Sequence, residues 1–136
     1  LNARECILKI LENFEKYSAS LDNTIDRAFS FQPMDQRDKR LVIEIVYGVL
    51  RNKLLIDYIL ESFVSDRSFL RNKHLMRILR IGVYQIAFLE RIPDHAAVNE
   101  SVSLAKDNRD TKNYTGVINA VLRNVIKNKG HLPKPG

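Results

Sequence analysis

Leu79-Arg80-Ile81-Gly82-Val83-Tyr84-Gln85-Ile86-Ala87-Phe88-Leu89-Glu90-Arg91-Ile92-Pro93-Asp94-His95-Ala96-Ala97-Val98-Asn99-Glu100 joins the most apolar segment of the chain to a second helical pattern through one proline. Leu75, Ile78, Leu79, Gly82, Val83, Ile86 and Leu89 recur at steps of three and four, which predicts a helix with one buried stripe. Lys73, Arg77, Arg80, Tyr84 and Arg91 fall on the other side, so an exposed polar face is expected there. Pro93 cannot continue a helix, and Asp94 after it is a good N-cap. A new stripe, Ala97, Val98, Ser101, Val102 and Ala105, starts at that point. A central apolar helix turning into a partner helix predicts an all-helical core.

Working outward, helical patterns cover 3–17, 20–31, about 35–52, 54–63, 94–106 and a last helix ending near Gly130. Their inward residues include Cys6, Ile7, Ile10 and Leu11 in the first, Val42, Ile45, Val46 and Val49 in the third, and Leu54, Leu55, Tyr58, Ile59 and Phe63 in the fourth. Val117, Ile118, Val121, Leu122, Val125 and Ile126 form the last stripe, with Asp110 or Thr111 as its cap. Residues 65–72 are polar and read as a loop or one irregular turn. No segment alternates with period two, so no strand is expected. The fold class is all-α, a bundle of about six or seven helices. Residues 1–131 read as one domain, and 132–136 as the start of a linker.

The chain has 136 residues, enough for one domain with a real core. No apolar run approaches the roughly 20 residues that span a bilayer, so no membrane partner is expected. No basic-apolar-small leader is present, and a chain beginning at Leu1 reads as trimmed. One cysteine excludes an intrachain disulfide framework and points to a cytoplasmic home. Its spacing with Ile7, Ile10 and Leu11 makes Cys6 a buried thiol, not a nucleophile.

The net charge is +6, a balance that favours a polyanionic partner. Residues 1–34 carry four basic against five acidic residues, so the excess lies in 35–136. Arg37, Arg40 and Arg51 share a polar helix face with Glu44 and Tyr47. Lys73, Arg77 and Arg80 form a second basic set, with no acid between Arg71 and Arg80 and with Tyr84 interleaved. Arg123 lies opposite the last stripe. Arg4 begins the first helix, where the helix dipole disfavours a cation, a placement expected to suit an outside anion. Arginines attract phosphates and an aromatic stacks on an unpaired base, so these residues are candidate contacts for a polyanionic partner. Solvated charged faces account for the same pattern equally well.

No catalytic constellation is visible. The five glycines are scattered, and the histidines and Cys6 lack metal-ligand spacing, so neither a catalytic nor a metal site is expected. His95 reads as a neutral first-turn imidazole. Asn99 and Glu100 read as a buried hydrogen-bonding pair.

Four blocks carry a resemblance: Tyr47-Gly48-Val49-Leu50-Arg51, Leu79 to Gln85, Arg91-Ile92-Pro93 with His95 to Glu100, and Gly116 to Arg123. In this order they resemble the NusB family, and most closely the N-terminal NusB-like domain of the RsmB/Sun ribosomal RNA cytosine-C5 methyltransferases. The resemblance runs from Ala3-Arg4-Glu5 to Leu132-Pro133. It implies a NusB fold, RNA binding, ribosomal RNA as partner, and Arg4 as a contact carried over from the family's first-helix pattern. In the full enzymes a downstream domain binds S-adenosylmethionine and supplies catalytic cysteines; nothing in these residues matches it. The chain is then a non-catalytic fragment without a cofactor of its own, partnered by that domain. A stand-alone antitermination factor and a helical protein-interaction domain stay open, as does homodimerisation.

Overall fold

The computed structural model describes residues 2–133. Among them are eight α-helices and no strand: α1 (Ala3–Lys16), α2 (Leu21–Phe31), α3 (Gln36–Arg51), α4 (Lys53–Phe63), α5 (Arg67–Leu70), α6 (Lys73–Phe88), α7 (Asp94–Lys106) and α8 (Thr115–Lys127). Two 3-10 turns, Lys112–Tyr114 and Lys129–His131, flank α8. The all-α expectation holds. The helix beyond the expected number is α5, inside the stretch read as a loop. Asp66 makes it: its carboxylate accepts from the Ser68 N–H at 2.9 Å and from the Ser68 hydroxyl at 2.7 Å. None of these helices is long and apolar enough to cross a membrane. Of the expected linker, 134–136 lie outside the described residues.

The chain divides after Gly48 into two compact units. In the first, α1 packs on α2. Asn2 caps α1 by accepting from the Glu5 N–H at 3.0 Å, and Ser20 caps α2 by accepting from the Asn23 N–H at 3.1 Å. Cys6, Ile7, Ile10 and Leu11 are buried as their spacing predicts, and burial pushes the Cys6 thiol above its ordinary range. Asp35 accepts from the Asp38 N–H at 2.8 Å at the start of α3. The Tyr47 hydroxyl donates to the Asp22 carboxylate, tying α3 to α2. That hydrogen bond, above all, raises the Tyr47 pKa.

In the second unit, α6 is surrounded: α4, α5, α7 and α8 all pack on it. Asn72 caps it by accepting from the His74 and Leu75 N–H groups. Every member of its expected stripe is buried, but so are Met76, Arg77, Ile81, Tyr84 and Gln85. Gln85 satisfies its buried amide on the Ile81 carbonyl at 3.1 Å. α7 and α8 leave no room for a side chain at Gly82. A Cβ there would lie 2.7 Å from Leu122 Cδ1 on α8 and 2.9 Å from Ser101 Oγ on α7. Ser101 Oγ is itself held on the Ala97 carbonyl at 2.8 Å.

Two helix starts differ from expectation. Pro93, not Asp94, holds the N-cap position of α7, and Asp94 instead pairs with Lys129 at 3.0 Å. Thr111 does not cap α8 directly. Buried, it donates to the Ala105 carbonyl at 2.9 Å and opens the 3-10 turn that precedes α8. Tyr114 of that turn meets Phe69 of α5 edge-on, with ring centroids 5.8 Å apart.

Candidate nucleic-acid interface

In the first unit, Arg37 and Arg40 lie one turn apart on α3, and both are exposed. Neither forms an ion pair among the described residues. Lys39 beside them is placed 5.5 Å from the Phe29 ring centroid, a cation–π distance. Arg4 is half-buried in the first turn of α1 and engaged in interactions of its own.

In the second unit, Arg51, Lys73 and Arg123 are exposed. Arg123 donates from Nε to Asn119 Oδ1 at 3.0 Å, one turn earlier on α8, and makes no ion pair among the described residues.

The rest of the expected basic face is not a surface. Arg77 is buried, and one of its terminal nitrogens lies 3.3 Å from His74 Nδ1. Donation by Arg77 requires that nitrogen to be unprotonated. Asp110, 3.8 Å from the same atom, is then too distant for a direct hydrogen bond. Arg80 is clamped by Asp57: Nε donates to one carboxylate oxygen at 2.7 Å and a terminal nitrogen to the other at 3.1 Å. Tyr84 is buried with its ring against Phe88, centroids 5.4 Å apart, so no base can reach its face. The expected exposure of Arg77, Arg80 and Tyr84 is therefore corrected. The reason is that α6 has neighbours on its polar side as well as along its apolar stripe.

Sequence reasoning also misplaced an aromatic. Leu54 and Tyr58, read as core, are 87% and 62% exposed, one turn apart on α4. A signal was present. At about 100° per residue, Ile56, Ile59, Leu60 and Phe63 share one side, and Leu54 and Tyr58 fall opposite. In the second unit Tyr58 is thus an exposed aromatic where Tyr84 is not; Tyr17 and Phe31 are exposed in the first unit.

Asn99 and Glu100 do not form the expected buried pair. Asn99 is exposed and lines a cleft of about 350 Å³ between α7 and α8, together with Asp94, His95, Val98, Arg123 and Ile126. No group of three or more potential metal ligands occurs among the described residues. Each unit, taken by itself, offers exposed basic groups and at least one exposed aromatic: Arg37 and Arg40 with Tyr17 and Phe31 in the first, Arg51, Lys73 and Arg123 with Tyr58 in the second. These can hold phosphates and stack a base.

Comparison with known proteins places the chain in a family. The NusB family model matches residues 1–127. A probable ribosomal RNA small subunit methyltransferase B of Synechocystis sp. is 36% identical over 124 residues, covering 90% of this chain and 27% of that protein. Its Bacillus subtilis counterpart is 31% identical, covering 91% of this chain and 27% of that protein. The transcription antitermination protein NusB of Listeria innocua is 35% identical, covering 90% of this chain and 92% of that protein. The chain thus spans about a quarter of the methyltransferase relatives and most of the antitermination relative.

Proposed function

This chain belongs to the NusB family, and on that premise we propose that it is the RNA-contacting, non-catalytic domain of a ribosomal RNA methyltransferase. The observation that carries the reading is the coverage: nine-tenths of this chain aligns with only 27% of the methyltransferase relatives. In this reading a downstream domain of the same protein binds S-adenosylmethionine and methylates cytosine C5 in ribosomal RNA, in the cytoplasm. The present domain holds structured RNA in place. Arg37 and Arg40 on α3, with Arg51, Lys73 and Arg123, supply phosphate contacts, and Tyr58 supplies a stacking face. Arg4 supplies a further contact from the start of α1.

Phosphate contacts position a nucleic acid without reading its sequence, which suits an accessory domain whose partner does the chemistry. A second reading, a stand-alone antitermination factor, is favoured by the 92% coverage of the Listeria protein. Both readings require RNA binding. Sequencing the gene beyond the codon for Gly136 separates them: a methyltransferase domain supports the first, and a stop codon the second. Titration with a structured RNA at several salt concentrations tests the shared part. Affinity that does not depend on salt would overturn it.

A further inference from the structure

The cleft between α7 and α8 is built differently from the charged faces. Its floor is apolar: Val98 from α7 is 3% exposed, and Ile126 from α8 is half-buried. Its exposed lining is polar: His95 and Asn99 from α7 and Arg123 from α8. Asp94 also lines it, and its carboxylate pairs with Lys129 at 3.0 Å. The Nε–H of Arg123 is fixed on Asn119, so its two terminal nitrogens remain for a ligand. The Asn99 carboxamide has no hydrogen-bond partner among the described residues.

The dimensions suit one small ligand, since about 350 Å³ falls at the low end of the roughly 300–1,000 Å³ typical of small-molecule pockets. The chemistry is that of a nucleotide. A flat base has two apolar faces and one polar edge. A carboxamide presents a donor and an acceptor side by side, matching a base edge that offers the complement. A guanidinium fork grips a phosphate with two parallel hydrogen bonds.

We propose that this cleft takes a single unpaired nucleotide of the bound RNA, its base over Val98 and Ile126, its edge on Asn99 and its phosphate on Arg123. The inference rests on the RNA-binding reading above and adds to it a site for one extruded base. Sequence-specific RNA recognition targets unstacked bases of this kind. The cleft would then supply selectivity that Arg37 and Arg40 do not.

The test uses two RNA probes with the same stem: a hairpin with an unpaired loop, and a blunt duplex. Affinity is measured against salt for wild type, Asn99→Ala, Arg123→Ala and the double variant Arg37→Ala/Arg40→Ala, and the Val98 and Ile126 methyl resonances are followed by NMR. The hairpin should shift both methyls, and the duplex should not. Asn99→Ala should weaken hairpin binding about 3- to 10-fold, the worth of one hydrogen bond, with duplex binding and salt slope unchanged. Arg123→Ala should weaken hairpin binding and lower its slope by about 0.7. Hairpin binding with unmoved methyls and full affinity in Asn99→Ala overturns the cleft and leaves the RNA reading intact, provided the α3 double variant binds both probes more weakly. Failure of wild type to bind either RNA overturns both.

Discussion

Arg80 and Asp57 face each other across α6 and α4 in a two-point clamp, with both guanidinium–carboxylate contacts at 3.1 Å or less. Their side chains are 14% and 30% exposed, so the pair is partly withdrawn from water. A guanidinium committed in this way is a structural tie between two helices and is not available to a phosphate. Asp57→Ala should therefore destabilise the fold by about 1.5–3 kcal/mol, the range for hydrogen bonds to charged groups. The check is chemical denaturation of the variant beside wild type. RNA affinity per folded molecule should not rise when Arg80 is released; a marked gain would return Arg80 to the interface.

RNA affinity itself should follow the exposed bases. Arg37→Ala and Arg40→Ala should each weaken binding to most RNAs alike and lower the slope of log affinity against log salt by roughly 0.7–0.9 per lost contact. Equal slopes in wild type and both folded variants would remove α3 from the interface.

The two tyrosines should behave oppositely. Tyr58→Ala should leave stability nearly unchanged, cost about 1–3 kcal/mol of binding to an RNA with unpaired bases, and leave the salt slope alone. Tyr84→Ala empties a buried position and should cost about 3–5 kcal/mol of stability, by analogy with buried phenylalanine. Thermal melts and loop-hairpin titrations of both variants decide this, and a swap of the two phenotypes would refute the assignment of faces.

Ile86 is wholly buried in the middle of α6. Ile86→Ala should cost about 2–5 kcal/mol through lost burial and the cavity left behind. An unfolding midpoint equal to that of wild type would mean that this helix is wrongly phased.

Acid should loosen α5 selectively. The hydroxyl and N–H of Ser68, both donating to Asp66, hold its carboxyl below the usual carboxylate range. Its capping contribution is present at pH values above the unfolded-state pKa and is lost as pH falls through the lowered folded value. In an NMR pH titration the Ser68 amide resonance should move with the Asp66 carboxyl, and Asp66→Asn should flatten that movement.

Much of this architecture was legible in the sequence because helical periodicity reports which side of a helix is most apolar. The stripes of α1, α3, α6 and α8 were readable for that reason, and so was the burial of Cys6. The same pattern is silent about the other side. Arg77 and Tyr84 occupy a polar flank in the sequence, yet α6 is enclosed and that flank is buried too. Leu54 and Tyr58 show the converse: apolar residues on the outward side of a helix, misread because side-chain type was weighed above angular position. The Asp57 clamp joins positions 23 residues apart, and local patterning has no means of pairing them. That Asn99 and Arg123 line one cleft is likewise set by how α7 lies on α8.

The near-contact at Gly82 has a consequence beyond packing. A methyl added there must be accommodated by Leu122 or Ser101, since a Cβ would stand 2.7 Å and 2.9 Å from them. Alone, Gly82→Ala should cost about 1–3 kcal/mol, as overpacking does. Paired with Leu122→Val it should recover part of that loss, because the two changes exchange volume across one gap. Positions 82, 101 and 122 are thus coupled sterically. Among natural relatives, an alanine at the first should be accompanied by a smaller residue at one of the other two.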